Sequence, residues 1–227
     1  MREAISAADP LKMVPPYLPA LPKGRTVVVG AGKASAMMAK AAEDHWQGEL
    51  SGIIITRYGF SVPCRHINVI EAGHPVPDVA GEKAAAEILD MVAGLGPDDL
   101  CLALMSGGAS ALLIRPAREI SLSDKQEVNR MLLRSGASIT EINTVRKHLS
   151  AIKGGRLAQA IAPAKLVTLM ISDVPGDDPG VIGSGPTIPD PTTFQDALAV
   201  TNKYKIDLPL KVRTLLESGL DETPKPN

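Results

Sequence analysis

Residues 26–46 read TVVVGAGKASAMMAKAAEDHW, and this segment carries the main evidence for the fold class. A short apolar run leads through Gly30-Ala31-Gly32 into an Ala-rich stretch, which is typical of a buried strand followed by a helix. Further Val- and Ile-rich runs alternate with segments of helical period along the chain. This alternation predicts an α/β fold, a three-layer α/β/α sandwich around a Rossmann-like, mostly parallel sheet.

The same pattern predicts the helix and strand boundaries. Strands are predicted over 26–29, 52–56, 67–71, 99–105 and 166–172, and helices over 33–46, 79–93, 123–135, 140–152, 156–162, 193–204 and 210–218. Ser123 and Gln126 are predicted to form a capping box, with Gly136 just past the end of that helix. Residues 173–193 are rich in Gly, Pro and Asp, which predicts a long irregular loop of the kind that carries function.

Length and composition limit the classes of protein. A chain of 227 residues with 44% hydrophobic content suits one domain, which we assign to residues 1–220, and residues 221–227 have the composition of a linker. The net charge of -1 and the aromatic content of 3% argue against nucleic acid as a partner. No apolar run approaches the roughly 18 residues of a membrane span. Two cysteines without metal-ligand spacing fit a reducing compartment, so we expect a cytoplasmic protein.

The first candidate site is the loop that follows the first strand. Gly30 and Gly32 expose backbone amides at the start of a helix, where an anion is favoured, and Lys33 adds a positive charge. The loop is an incomplete dinucleotide fingerprint, because Ser35 replaces the third glycine. A tight turn with a surface lysine explains the pattern equally well, since a lone glycine-rich turn is weak evidence.

A second glycine-rich loop follows the strand predicted over 99–105. Ser106, Gly107, Gly108 and Ser110 combine two glycines with two hydroxyls, which can form a concave site for a carboxylate or a phosphate. Open α/β sheets bind ligands at the carboxyl ends of their strands, so both loops are expected to face one crevice. An ordinary glycine turn is the alternative.

Residues 141–153 predict a helix with one apolar and one polar face. We expect Asn143 and Arg146 to bind an anionic substrate, because an arginine offers two parallel donors to a carboxylate or phosphate. Lys147 and Lys153 are expected on a solvated face of the helix. His148 is expected at the surface, partly packed, because no acid or nucleophile is paired with it by spacing.

Carboxylates follow the last predicted strand. Asp173 and Asp177 are hard oxygen ligands close to the glycine-rich loops, and they are candidate ligands of Mg²⁺. Ser184, Gly185 and Thr187 lie further along the same loop and are candidates for contact with substrate or phosphate. Each carboxylate can instead accept local backbone amides in an Asp-rich turn.

Five segments lie in order within residues 27–194: VVVGAGKASAMMAKA, GHPVPD, LMSGGASALL, EINTVRKHLSAIKGGRLA and ISDVPGDDPGVIGSGPTIPDPTTF. Together they resemble the N-terminal domain of the type II glycerate kinases, or glycerate 2-kinases, a family whose members are also called hydroxypyruvate reductases. The resemblance implies Mg²⁺-dependent transfer of phosphate from ATP to the 2-hydroxyl of D-glycerate, with Lys33 as the catalytic lysine. It also implies a C-terminal domain beyond this chain, without which the chain is predicted to be inactive. Ala109 departs from the family, which usually has a third glycine there.

Two other functions stay open on the sequence. An NAD(P)H-dependent hydroxypyruvate reductase is suggested by Gly30 and Gly32 and by Arg57, which can meet a 2′-phosphate. A non-catalytic anion-binding domain is the other alternative. The expected partners are D-glycerate, ATP and the chain's own C-terminal domain, with no membrane. The sequence leaves the oligomeric state open, with a homodimer as one option.

Overall fold

A parallel sheet forms the centre of the computed structural model, which describes residues 9–226. Its strands are β1 (Thr26–Ala31), β2 (Leu50–Arg57), β3 (Ile67–Ala72), β4 (Leu100–Ser106) and β5 (Lys165–Ile171). The spatial order is β3-β2-β1-β4-β5, and every pairing is parallel. The chain changes direction across the sheet between β1 and β4, which is where open α/β sheets form a ligand crevice. The predicted Rossmann-like parallel sheet is confirmed.

Nine α-helices occur within the described residues. They are α1 (Pro10–Met13), α2 (Ser35–His45), α3 (Val79–Val92), α4 (Ala109–Leu112), α5 (Leu122–Arg134), α6 (Ile139–His148), α7 (Arg156–Ile161), α8 (Phe194–Lys203) and α9 (Leu210–Ser218). No helix between residues 9 and 226 is both long enough and apolar enough to cross a membrane.

Helices cover both faces of the sheet. Successive strand residues point to opposite faces, so Val28 and Ile54 pack against Met38 of α2, while Val29 and Ile55 pack on the other face, in one core with residues of α3, α4 and α7. Burial on both faces explains why the strands are continuous apolar runs rather than alternating ones. The three predicted layers are therefore present.

A second apolar core lies outside the sandwich and was not predicted. It joins α5, α6, α8 and α9 through buried side chains that include Leu132, Val145, Phe194 and Val212. These helices are amphipathic, and no strand contributes to the core that they share. Of these helices, α5 and α6 lie beside the loop that follows β4, and the chain thus has a helical core separate from the apolar layers on the sheet.

Most predicted boundaries agree with the structure within two residues, but two local predictions are wrong. The capping box of α5 uses Ser121 and Asp124 rather than Ser123 and Gln126, because the N-cap lies two residues before the predicted one and the helix begins at Leu122. The helix predicted over 140–152 ends at His148, and the hydroxyl of Ser150 accepts the N–H groups of the next turn. Gly136 follows α5 with a φ of 80°, as predicted. Helices α1 and α4 were not predicted.

The segment predicted as a linker is irregular but packed. Glu222 accepts a hydrogen bond from the N–H of Phe194 at 2.9 Å, and Thr223 is only 2% exposed. The N–H of Asp190 donates to the carbonyl of Pro224 at 2.8 Å. Its role as a linker stays a prediction, and residues 1–8 and 227 of the predicted ranges lie outside the described residues.

Candidate active site

The two glycine-rich loops lie side by side at the carboxyl ends of β1 and β4. The N–H of Lys33 donates to the carbonyl of Gly107 at 2.9 Å, and the N–H of Ala34 donates to the Ser106 hydroxyl at 3.0 Å. Gly30 lies within β1, against the backbone of Leu104 in β4. The expected common crevice is therefore formed by direct bonds between the loops.

Two glycines in these loops are required by close approach of other groups. A Cβ atom on Gly32 would lie 2.0 Å from the hydroxyl oxygen of Ser106, which is itself buried. A Cβ atom on Gly107 would lie 2.1 Å from a carboxylate oxygen of Asp173. Both positions exclude any larger residue without movement of the neighbouring loop.

The amides expected to receive an anion in the first loop are already used within the fold. The N–H of Gly32 donates to Ile55 at 3.0 Å, that of Ser35 donates to Gly32 at 3.2 Å, and those of Lys33 and Ala34 bond to the second loop. These bonds tie β1 to both of its neighbours, which is why the amides cannot also form an open anion site. The positive group that this loop offers to a ligand is the ammonium of Lys33.

Lys33 forms an ion pair with Asp173 across the crevice. Nζ lies 3.4 Å from a carboxylate oxygen, and the two side chains are 39% and 56% exposed. An exposed pair contributes at most about 1 kcal/mol, because water screens it. A bound ligand can therefore replace either partner at little cost in stability.

His74 is a site residue that the sequence did not indicate. Its Nε2 lies 3.0 Å from the position of a Cβ atom on Gly108, and the Lys33 side chain is the next neighbour there. Burial lowers the pKa of His74, and the cations of Lys33 and Arg57 lower it further. Its imidazole is therefore neutral at neutral pH.

A chain of hydrogen bonds connects three of the predicted segments. The hydroxyls of Ser110 and Ser184 are 3.0 Å apart, and Ser184 donates to the side-chain oxygen of Asn143 at 3.2 Å. Arg146 donates to the same oxygen at 3.5 Å and, through Nε, to Asn129 at 2.7 Å. The structure thus brings the loop after β4, the Asp-rich loop and α6 together, as the site prediction requires.

The two remaining residues predicted in this loop, Gly185 and Thr187, differ in their hydrogen bonds. The carbonyl of Gly185 accepts the N–H of Gly155 at 2.8 Å. Thr187 is 7% exposed, and its hydroxyl has no hydrogen-bond partner within residues 9–226. Their contact with substrate stays a prediction.

A cavity of about 200 Å³ opens between α5, α6 and the loop at Gly108. The polar side chains that line it are those of His74, Ser110, Lys125, Gln126, Asn129, Arg146 and Lys153. Lys125 and Lys153 are 6% and 1% exposed. The expectation that Lys153 is solvated is wrong, because the turn after α6 directs its ammonium inward to the carbonyl of Gly183 at 3.1 Å.

Two neighbours of Arg146 are also more buried than expected. Lys147 is 9% exposed, and its ammonium lies 3.3 Å from Asp190, which is fully buried. His148 is fully buried, and its Nε2 lies 2.9 Å from Glu222. Both were expected at the surface, and the tail and the loop at Asp190 cover the side of α6 that a single amphipathic helix would expose.

Comparisons with known proteins identify the family. The family model described as "Domain of unknown function (DUF4147)" matches residues 1–217. The chain belongs to this family, the N-terminal family of the glycerate kinases. It is 59% identical over 223 residues, 98% of the chain and 51% of the relative, to an Agrobacterium vitis protein called "Putative hydroxypyruvate reductase". It is 44% identical over 227 residues, 99% of the chain and 54% of the relative, to the D-glycerate 2-kinase of Thermotoga maritima.

Solved structures agree with this assignment. A Pyrococcus horikoshii protein superimposes with a TM-score of 0.94 at 41% identity, over 100% of this chain and 56% of that one. The glycerate kinase of Thermotoga maritima superimposes with a TM-score of 0.92 at 44% identity, over 99% and 54%. The chain spans about half the length of the relatives it matches.

The helical spacing of the sequence around Lys125 is a signal for this residue. Lys125 precedes Val128, Asn129 and Leu132 by three, four and seven residues, so all four lie on one face of α5. Val128 and Leu132 are core residues, so the methylene stem of a lysine on the same face packs beside that core, whereas the burial of its ammonium depends on the neighbouring segments. A cation on an apolar helix face is the signal that points to this cavity.

Proposed function

We propose that this chain is the N-terminal domain of a glycerate 2-kinase, which transfers the γ-phosphoryl group of ATP to the 2-hydroxyl of D-glycerate. The observation that carries the proposal is one crevice that holds Lys33, His74 and Asp173 beside a cavity lined by cations. The names of two relatives, the glycerate 2-kinases of Thermotoga maritima and Pyrococcus horikoshii, support the same activity, whereas the Agrobacterium vitis relative is called a putative hydroxypyruvate reductase. The C-terminal domain, joined through residues 221–227, would close the crevice, and the isolated chain would be inactive.

Lys33 is proposed to act on the transferring phosphoryl group. The 2-hydroxyl oxygen of glycerate attacks the γ-phosphorus and ADP leaves, so negative charge is redistributed over the phosphoryl oxygens. An ammonium held at the crevice stabilises that charge without reorganisation. His74 is a neutral imidazole next to Lys33 and can accept the proton of the hydroxyl.

Magnesium is proposed to bind at Asp173 and Asp177. Between residues 9 and 226, the ammonium of Lys33 is the sole side-chain partner of the Asp173 carboxylate, so its remaining lone pairs are available, and Asp177 is exposed. No group of three or more His, Cys, Asp or Glu side chains suited to a metal occurs in the described part. The available oxygens of Asp173 support the proposal, because Mg²⁺ uses one or two carboxylates together with substrate phosphates and water, and a bound ion would neutralise phosphate charge.

The reductase alternative is not favoured. A dinucleotide pyrophosphate needs free amides at the start of the first helix, and the amides of residues 32–35 are bonded within the protein. The guanidinium of Arg57 lies 4.0 Å above the ring of Phe60. The backbone contacts thus occupy the amides on which the reductase hypothesis relied, although a stacked guanidinium keeps the N–H donors at its edge.

The deciding experiment measures both activities on the full-length protein. We expect Mg²⁺-dependent formation of ADP with D-glycerate, and a 2-phosphoglycerate product identified by phosphorus NMR. We expect no oxidation of NADPH with hydroxypyruvate. The kinase proposal fails if glycerate produces no ADP, and the reductase is restored if NADPH is consumed.

A further inference from the structure

Three cations surround the cavity without a carboxylate to match them. Lys125 enters from α5, Arg146 from α6 and Lys153 from the turn that follows α6. No Asp or Glu is among the described residues that line the cavity. None of the three cations forms an ion pair within residues 9–226, although 24 basic and 25 acidic residues are present in the chain.

Internal hydrogen bonds account for only part of this arrangement. The ammonium of Lys125 donates to the carbonyls of Arg146 at 3.2 Å and Leu149 at 2.7 Å, so it satisfies carbonyls at the end of α6. The ammonium of Lys153 has the carbonyl of Gly183 as its acceptor and retains further donors. Carbonyl dipoles do not neutralise a charge, and burial of an unpaired ion costs several kcal/mol.

Titration behaviour agrees with this geometry. Burial lowers the pKa of Lys125 well below its usual value, and the cations of Lys153 and Arg146 lower it further. Burial lowers the pKa of Lys153 to about 7, and Arg146 adds to the effect. An anion in the cavity would reverse both effects, because it would stabilise the charged lysines.

We propose that this cavity is the subsite that binds the carboxylate of the acid substrate, with Lys125, Arg146 and Lys153 as its cationic ligands. The inference rests on the proposed function for the identity of the acid. It assigns Lys125 and Lys153 a direct role in substrate binding that the motifs of the sequence did not indicate.

The size of the cavity selects the ligand. A volume of about 200 Å³ admits a three-carbon acid. Sites for larger, drug-sized ligands occupy roughly 300–1,000 Å³, so a nucleotide does not fit inside. ATP therefore approaches from the open side of the crevice, where Lys33 and Asp173 are exposed.

The position of the cavity also orients the acid. Gly108 belongs to the cavity wall and contacts both His74 and Lys33. A carboxylate held by the buried cations therefore leaves the hydroxyl carbons directed toward Gly108 and the crevice. The 2-hydroxyl, on the carbon next to the carboxylate, is then the hydroxyl nearest to the anchoring point.

The first test measures ligand binding by this chain through the shift of Tm and by calorimetry. The probes are D-glycerate, L-lactate, glycerol and inorganic phosphate. We expect D-glycerate to bind, L-lactate to bind more weakly, and glycerol, which lacks the carboxylate, not to bind. Lys153→Met and Lys125→Met should each raise the Kd for D-glycerate tenfold or more, as expected when a charge-assisted hydrogen bond is lost. The exposed Lys83→Met variant is the matched control and should bind like the wild type.

The second test separates this inference from the kinase proposal. In the full-length protein, Lys153→Met should raise the KM for D-glycerate tenfold or more and change the KM for ATP less than twofold. If Lys125→Met and Lys153→Met both form ADP with an unchanged KM for glycerate, the subsite assignment is wrong and the kinase proposal stands. Binding of a small carboxylate that requires Lys153, without any ADP formation, would keep the subsite and overturn the kinase. If phosphate binds and no carboxylate does, or if nothing binds, the subsite assignment is wrong.

Discussion

The backbone of Lys33 is held by a hydrogen bond, whereas its ammonium is exposed and only weakly paired. Its N–H is bonded to Gly107, while its side chain is 39% exposed in the weak pair with Asp173. A side chain of this kind adds little to stability and can follow charge that moves during a reaction. At the scale of a single residue, function and fold are therefore separable at this position.

We expect Lys33→Ala to lower kcat of the full-length enzyme by on the order of 10² or more, the scale of removing one electrostatic stabiliser. The Tm should fall by no more than about 2–4 °C, because an exposed ion pair contributes at most about 1 kcal/mol. Steady-state kinetics and thermal denaturation check the two parts. Near-normal turnover, or a loss of activity that follows a collapse of Tm, would show that Lys33 is a turn residue.

Gly32 shows the opposite balance between fold and function. Its Cβ position overlaps the Ser106 oxygen, so Gly32→Ala should lower the free energy of unfolding by roughly 3 kcal/mol, the upper end of the range for overpacking. Denaturant titration measures the change. Gly96→Ala is the control, since its nearest atom would be 3.9 Å away, and the packing account fails if the two variants are equally stable.

At the scale of elements, the tail after α9 is attached to α6 and α8 through Glu222. Its carboxylate lies 2.9 Å from Nε2 of His148 and accepts the N–H of Phe194 at the start of α8. Burial alone would raise the pKa of Glu222, but N–H donors from Phe194 and Thr223 and the nearby His148 lower it to about 2. One carboxylate thus connects three segments of the helical core.

Glu222→Gln should lower the free energy of unfolding by about 1–3 kcal/mol near pH 6, because the buried imidazole of His148 loses its carboxylate partner. The folded pKa of Glu222 lies below the ordinary glutamate value of 4.5, so the stability advantage of the wild type is complete above pH 4.5 and is lost as the pH falls toward 2. Thermal unfolding of both proteins between pH 6 and pH 3 measures how this difference in stability becomes smaller. Glu217→Gln, at an exposed position, is the control and should be as stable as the wild type at each pH. A difference in stability between Glu222→Gln and the wild type that does not change with pH would contradict the role of the carboxylate.

At the scale of the whole molecule, the cationic cavity lowers the stability of the unliganded protein. Lys153 has a folded pKa of about 7, below the ordinary lysine value of 10.5, so the unfolded chain binds more protons between these pH values. The free energy of unfolding should therefore rise with pH through this range. The other titratable groups that line the cavity are those of Lys125 from α5, Arg146 from α6 and His74 from the loop before α3, and no carboxylate of the described residues lines it.

Lys153→Met should accordingly be at least as stable as wild type near pH 7, because it removes a buried unpaired charge. The free energy of unfolding of the wild type should increase relative to that of Lys153→Met by on the order of a few kcal/mol as the pH rises from about 7 to 9. Denaturant titration at several pH values measures the difference. Lys83→Met should retain the wild-type pH profile, and a large loss of stability in Lys153→Met at pH 7 would show that Lys153 is structural.

Local sequence pattern determined much of this protein. The five strands, the parallel sheet, most helix ranges and the glycine-rich loops followed from apolar runs, helical period and glycine positions, because each depends on a few neighbouring residues. The common crevice was also predictable, since parallel strands place their carboxyl ends at one edge of a sheet. Arg146 was recognised as a candidate anion ligand from its place on a predicted polar helix face.

Tertiary structure alone decided which polar groups are buried and which amides are free. The first loop has the glycines of an anion site, yet contacts with Ile55 and Ser106 use its amides. His148 and Lys153 have the spacing of surface residues, and they are buried because distant segments, residues 183 and 222, pack against them. The physical reason is that burial and hydrogen-bond pairing depend on groups far away in the chain, which periodicity over one helix cannot record.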